Sequence, residues 1–175
     1  MTKDEVRYKL KIKRRYFQNI VRQEADRVLL ETFIAAFGDR EHYLLYSSIG
    51  DEARTDRLIE ELSALGKKVY LPRVEGENIV AVPYGNLKKG AFGIDEPEGE
   101  AYYGAIDVVV VPLLAINSRG FRLGYGKGYY DRFLSANKAF AVGYGYDFQR
   151  DEFDEDKWDM PVKAFVSEKG VYYFD

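Results

Sequence analysis

The 175-residue chain contains no cysteine and a single histidine, His42. Without thiols there is no disulfide, no thiolate zinc site and no cysteine nucleophile. With one imidazole, histidine-rich metal sites are excluded too, so any metal has to be held by carboxylates and water, a donor set that favours magnesium. A Ser-His-Asp triad would have only His42 as its base, and no Gly-x-Ser-x-Gly turn accompanies it. His42 lies between a charged segment and the apolar run Tyr43 to Tyr46 and reads as structural. No apolar stretch approaches the roughly 20 residues that span a bilayer. The charged N-terminus lacks the apolar core of a secretory signal. The expectation is a cytoplasmic protein with no membrane partner.

What the chain does contain is the composition of a folded globular protein, 46% hydrophobic and 31% charged, in the size range of one domain. No repeat, low-complexity tract or linker interrupts it, so residues 1–175 are read as a single domain. The net charge of −3 conceals an asymmetry: residues 1–27 hold nine Lys or Arg against four Asp or Glu, leaving the remainder at about −8. The basic segment suits a small polyanion, and the acidic remainder argues against a broad nucleic-acid footprint. The segment 147–159 has seven acidic residues against two basic ones and reads mostly as solvated surface. Asp159 is the exception, because Trp158 and Met160-Pro161 flank it with apolar surface, where a carboxylate needs a metal or an arginine.

Hydrophobic spacing predicts a charged helix from Lys3 to about Phe17, with Lys3, Arg7 and Arg14 near one face. A second helix is marked by Ala25, Val28, Leu29, Phe33 and Ala36 and stopped by Gly38. A buried strand over Tyr43–Ser48, a helix through Leu58, Ile59, Leu62 and Leu65, and a strand over Val69–Leu71 ending before Pro72 make a β-α-β unit, hence parallel pairing. Residues 74–104 are punctuated by glycine and proline, with Ile79–Val82 the best strand, and read as a ligand-facing excursion. Ile106–Val111 carries four consecutive valines, the pattern of a central strand buried on both faces. Phe140–Tyr144, Ala164–Val166 and Val171–Phe174 are further strands.

The most informative stretch is Arg122-Leu123-Gly124-Tyr125-Gly126-Lys127-Gly128-Tyr129-Tyr130-Asp131-Arg132. Three alternate glycines leave the backbone free to turn its amides around an anion, and Lys127 sits among them. Tyr129, Tyr130, Phe133 and Leu134 follow at helical spacing, so a helix N-terminus faces the same point. Asp131, in the first turn, can hold magnesium against a phosphate chain. The pattern is neither the Walker nor the dinucleotide-binding form, and a purely structural turn competes with phosphate binding on spacing alone. The loop follows a central strand, where open α/β sheets place ligands.

The stretch Arg119 to Leu134, together with Lys3-x-x-x-Arg7, Lys13-Arg14-Arg15, Asp51-Glu52, Leu71-Pro72-Arg73, Gly93-Ile94-x-Glu96-Pro97 and Trp158-Asp159-Met160-Pro161, resembles the 5-formyltetrahydrofolate cyclo-ligase (methenyltetrahydrofolate synthetase) family along essentially the whole chain. The resemblance implies a three-layer α/β/α fold with a mostly parallel central sheet, similar to sugar-phosphate isomerases and CoA-transferases. It implies ATP- and Mg2+-dependent cyclisation of 5-formyltetrahydrofolate to 5,10-methenyltetrahydrofolate; separately, the chain is expected to act as a monomer and to bind no nucleic acid. Lys3 and Arg7 would clamp ATP from outside, and residues Arg122, Leu123, Gly124, Tyr125, Gly126, Lys127, Gly128, Tyr129 and Tyr130 would wrap its triphosphate. Lys127 and Arg122 would act on the transferring group, and Asp131 and Asp159 would hold Mg2+. Glu52, with Ser47 beside it, would bind the pterin between walls formed by Phe92, Tyr125 and Tyr129. Asn117 and Lys163 stand where the family pattern often has Asp, and Val74 stands where an aromatic is sometimes used. The two competing functions are a nucleotide-independent isomerase-like enzyme and a binding module that has lost turnover, the latter suggested by Asn117 and Lys163.

Overall fold

The computed structural model describes residues 1–175. Helix α1 (Lys3–Arg15) starts at a capping box: the Thr2 hydroxyl accepts from Glu5 N at 3.1 Å while the Glu5 carboxylate accepts from Thr2 N at 2.9 Å. Asp4 and Glu5 in its first turn and Lys13, Arg14 and Arg15 in its last complement the helix dipole. Helix α2 (Asn19–Phe37) ends at Gly38, as the spacing predicts. Strand β1 (His42–Leu44), α3 (Asp56–Ala64) and β2 (Lys68–Glu75) form the expected parallel unit. Gly66, at φ +80°, reverses the chain after α3, with Lys67 N bonding back to Leu62 O.

Strand β2 runs past Pro72 instead of ending before it. The Tyr70 carbonyl bonds Leu45 N on the β1 side. Two residues on, Pro72 faces that same side beyond the end of β1, so its missing N–H forfeits no ladder bond. β2 therefore continues along β3 (Asn78–Pro83), antiparallel, to the pair Glu75 and Asn78. The expected strand Tyr43–Ser48 is shorter than its apolar run. Beyond Leu45 the chain leaves the sheet, and the Tyr46 carbonyl accepts from the Thr55 hydroxyl at 2.6 Å instead of from a strand.

The excursion at 74–104 contains β3 and a small hairpin, β4 (Leu87–Lys89) and β5 (Asp95–Pro97). Strand β6 (Val108–Val111) follows, then a two-residue hairpin pair, β7 (Ala115–Ile116) and β8 (Arg122–Leu123). Helix α4 (Tyr129–Ala136), β9 (Phe140–Tyr144), β10 (Ala164–Ser167) and β11 (Gly170–Tyr173) complete the order.

The seven-stranded sheet runs β11-β10-β9-β6-β1-β2-β3, parallel from β10 to β2 with antiparallel edges. Val108 and Val110 pack into a core with Leu29, Phe33 and Phe37 of α2 and Leu58 and Leu62 of α3. Val109 and Val111 point the other way, into a core with Leu134 of α4 and Phe165. This two-sided burial explains the unbroken valine run and makes three layers, α/β/α. A third, smaller core of Val6, Leu10, Ala115, Leu123 and Phe153 seats α1 on the β7–β8 hairpin.

The sheet also decides where a ligand can sit. From β1 the chain crosses to β2 over one face with α3; from β6 it crosses the opposite way to β9 with α4 on the other face. Right-handed crossovers in opposite directions leave a crevice between the carboxyl ends of β1 and β6.

Candidate functional site

At that crevice lies a cleft of about 630 Å³. Its walls come from the chain leaving β1, the glycine segment after β8, the β4–β5 excursion, the first turns of α1 and the 156–159 turn. Residues Arg122 to Asp131 line it without interruption, joined by Lys3, Arg7, Ser47, Glu52, Phe92 and Asp159, so every sequence-predicted site residue faces one space.

The glycine segment has the backbone its composition suggests. Gly126 and Gly128 take φ of +87° and +72°, and Gly128 caps α4 in the left-handed conformation. A Cβ at Gly128 would stand 2.7 Å from Arg132 Nη1, and one at Gly124 would stand 2.4 Å from Arg122 Nη1. The segment is tied down from outside: Arg132 donates to the carbonyls of Glu77 and Lys127, and Arg7 Nε donates to Gly124 O at 3.1 Å. Arg122 is folded inward, with Nη1 donating to Pro112 O at 3.2 Å and its guanidinium 5.3 Å from the centre of the Tyr130 ring. Its Nε is buried without a partner, and burial draws its pKa below the ordinary value, against the nearby Asp131 charge. Lys127 is exposed and stands 5.3 Å over the Phe92 ring. Phe92 is the only non-glycine residue with positive φ, at 59°, a strained conformation of the kind that concentrates at ligand-facing loops.

Lys3 is committed to two carboxylates, Asp156 at 2.5 Å and Asp159 at 2.9 Å. Burial alone lowers the Lys3 pKa, yet the hydrogen bonds to Asp156 and Asp159 hold it above the ordinary lysine value. The partner of Asp159 is thus a lysine, where the sequence suggested a metal or an arginine. Asp159 Oδ2 takes this bond and one from Asp156 N, and Asp131 Oδ1 accepts from Met160 N at 3.0 Å, which leaves one oxygen of each carboxylate uncommitted. No group of three or more His, Asp or Glu side chains stands at metal-binding spacing.

Also lining the cleft, Glu52 is 8% exposed, with Oε1 accepting from Ile49 N at 2.9 Å. Burial pushes its carboxyl above the ordinary range, opposed by that N–H and by the Arg14 charge. The loop carrying it is clamped from α2: Arg22 Nη2 donates to the carbonyls of Gly50 and Glu52, both at 2.9 Å.

Several contributors escape sequence reading. Arg14 is visible on the Lys3–Arg7 face of α1 but is buried, donating to the Tyr125 hydroxyl at 2.9 Å with two N–H groups unpartnered. Glu96, 6% exposed, lines the cleft and accepts from Val74 N, which faces the β1 side where β1 has ended. In the sequence it stands out only as part of the Gly93-Ile94-x-Glu96-Pro97 string, with no role attached. Asp156 and Trp158 also line the cleft. The acidic segment 147–159 is less solvated than expected, because α1 and Arg119 face it: Lys9 pairs with Asp151 and Arg119 with Glu155.

Asn117 and Lys163 lie outside the cleft. Asn117 is buried, its Oδ1 accepting from the Arg119 and Phe121 amides and its Nδ2 donating to Phe153 O, so it clips the turn between β7 and β8. Lys163 is exposed between β9 and β10. Neither side chain lines the cleft. His42 stacks on Tyr102 and shares Nδ1 with the Tyr70 hydroxyl at 2.9 Å, away from the cleft, consistent with a structural part. No helix is long and apolar enough to cross a membrane.

Comparison with known proteins follows the same geometry. A family model for the 5-formyltetrahydrofolate cyclo-ligase family matches residues 1–168. A 5-formyltetrahydrofolate cyclo-ligase of Escherichia coli is 32% identical over 142 residues, 73% of this chain and 78% of that one. One of Mycoplasma genitalium is 47% identical over 75 residues, a match that spans 42% of this chain and 46% of that protein. Among solved structures, the 5,10-methenyltetrahydrofolate synthetase of Aquifex aeolicus superposes with a TM-score of 0.88 at 35% identity, covering 99% of this chain and 93% of that one. The implied likeness to sugar-phosphate isomerases and CoA-transferases gains no support from these relatives. With fold, cleft and motif in agreement over its length, the chain belongs to the 5-formyltetrahydrofolate cyclo-ligase family of enzymes.

Proposed function

We propose that the cleft performs the ATP- and Mg2+-dependent closure of 5-formyltetrahydrofolate to 5,10-methenyltetrahydrofolate, with ADP and phosphate released. The observation that carries this reading is that one cleft collects two kinds of group: Lys3, Arg7, Arg122 and Lys127 line it together with the glycine segment, and so does a buried carboxylate, Glu52. The first group suits a triphosphate and the second the N–H donors of a pterin.

The residues fit both reactants. The unpartnered Nε of Arg122 and the left-handed glycines supply donors for phosphate oxygens. Asp131 and Asp159 each retain a free carboxylate oxygen, and Mg2+ takes one or two carboxylates with phosphate and water completing its shell, so these two would hold it. Bound there, the ion would neutralise charge on the phosphate chain.

The formyl oxygen attacks the terminal phosphorus, forming an O–P bond as the bond to the ADP oxygen breaks. The folate amine at position 10 then bonds to the formyl carbon and gives up its proton, and phosphate leaves with the oxygen. Both steps need positioning and charge stabilisation, with no protein nucleophile, as suits a chain without cysteine. Lys127, Arg122 and the glycine-segment amides hold the transferring group. Glu52, with Ser47 beside it, orients the pterin, and Phe92, Tyr125 and Tyr129 wall its faces and exclude water.

On the same footing we read residues 1–175 as one domain and the protein as a cytoplasmic monomer acting on small molecules, without nucleic acid. Mixing protein with 5-formyltetrahydrofolate and MgATP is expected to develop the methenyl chromophore. Hydrolysis of ATP without that absorbance would end the proposal.

A further inference from the structure

Helix α1 works as a ruler along the cleft. Lys3, Arg7 and Arg14 lie on one face and touch successive points: Lys3 the 156–159 turn, Arg7 the Gly124 carbonyl, Arg14 the Tyr125 hydroxyl next to the Glu52 charge. At 1.5 Å per residue, Lys3 and Arg14 stand about 16 Å apart along the axis. With phosphates at Lys3, Arg7 and the glycine segment and the pterin beside Glu52, the nucleoside is left the Lys3 side of the cleft. Trp158 lines the cleft from the turn whose carboxylates hold Lys3.

Three cleft-lining aromatic side chains are strongly exposed: Phe92, Tyr125 and Trp158, at 64, 47 and 66%. Phe92 lies under Lys127, and Tyr125 is bonded to Arg14. Trp158 has no ring or cation partner at all. Its placement is nevertheless held. It occupies the third position of a β-turn closed by Asp159 N on Asp156 O at 3.0 Å, Asp156 N returns a bond to Asp159 Oδ2, and Lys3 bridges both carboxylates. A large apolar face fixed open at the rim of a polar cleft suits a flat, π-rich ligand, and stacking on an aromatic face is how proteins take a base without reading its edge.

Resting on the reading that the cleft binds a nucleoside triphosphate, we infer that Trp158 is the stacking platform for the nucleotide's base. The turn that presents it is the one whose carboxylates hold Lys3, so base and phosphate contacts are set by a single element.

Trp158 is the chain's single tryptophan, so intrinsic fluorescence reports on this position alone. Mg-ADP and Mg-tripolyphosphate are titrated into the folded protein, with calorimetry in parallel. Quenching by ADP but not by tripolyphosphate is expected. Trp158→Ala should lose roughly 5- to 100-fold in ADP affinity while its tripolyphosphate affinity is unchanged, and Trp158→Phe should recover most of the loss. Binding of ADP with fluorescence unmoved, or equal quenching by tripolyphosphate, overturns the inference and leaves the nucleotide reading standing. Absence of heat with both ligands overturns the nucleotide reading itself, and the inference with it. At this exposed position the alanine variant keeps its fold, which circular dichroism checks.

Discussion

Deleting the same oxygen from three buried tyrosines should give three different stabilities. Tyr146 is fully buried, and its hydroxyl donates to Asp26 Oδ1 at 2.7 Å while accepting from Arg22 Nε at 3.1 Å. Tyr146→Phe breaks two bonds to charged groups and leaves a half-buried carboxylate short of a donor, a loss of about 2 to 4 kcal/mol. In a chain of this length that lowers the melting temperature by roughly 6 to 12 °C. Tyr43, equally buried, donates to Phe37 O at 2.5 Å and accepts from Arg40 N at 2.9 Å; both partners are neutral backbone, and Tyr43→Phe should cost about 1 kcal/mol. Tyr144 is 1% exposed, its ring edge-on to Phe33 at 6.0 Å, and its hydroxyl has no partner. Tyr144→Phe keeps the packing and removes an unsatisfied polar group, so it should stabilise by about 1 kcal/mol. Urea unfolding of the three variants supplies the ranking, and pH supplies a second check. Burial already raises the Asp26 carboxyl, and the Tyr146 bond opposes this. A group with a raised folded pKa loses stability as pH rises through that pKa, and losing Tyr146 raises it further, so the Tyr146→Phe deficit should grow from acid to neutral pH. Equal midpoints for Tyr146→Phe and Tyr144→Phe, or a deficit independent of pH, would refute the reasoning.

Lys127→Ala should leave the unfolding midpoint unchanged, since the side chain is exposed, and lower turnover roughly 30- to 1,000-fold by loss of charge stabilisation; wild-type turnover would make the segment a turn and nothing more. Glu52→Gln keeps an acceptor for Ile49 N but removes a buried charge whose pKa burial has raised. It should therefore stabilise the protein at neutral pH and not at acid pH, while folate affinity falls roughly tenfold or more, measured by unfolding at both pH values and by equilibrium binding. Asp131→Asn should raise the Mg2+ concentration needed for half-maximal rate without moving the folate KM. Gly143→Ala places a Cβ 2.9 Å from Leu113 Cδ2 and 3.3 Å from Phe165 Cδ1, and overpacking of this kind should cost about 1 to 3 kcal/mol in a denaturant titration.

Residues that act through near neighbours were legible in the chain itself. The two-sided valine strand at 108–111, the glycine segment opening into α4 at Gly128 and the cationic face of α1 all follow from spacing, because strand and helix periods are local properties. Strand ends were less legible: whether Pro72 ends β2 depends on where β1 stops, and whether Tyr46–Ser48 stays in the sheet depends on Thr55. Absence of cysteine and near-absence of histidine had already excluded disulfides, thiolate and histidine-rich metal sites and a cysteine nucleophile. Only the tertiary structure could bring Lys3 to Asp159, 156 residues away, join Arg14 to Tyr125, or clamp the Glu52 loop with Arg22. Those meetings follow from strand order, which answers to the burial of both faces of one sheet and to the handedness of its crossovers. No window of the sequence encodes either, so the crevice between β1 and β6, and with it the cleft that collects Lys3, Glu52 and the glycine segment, belongs to the fold alone.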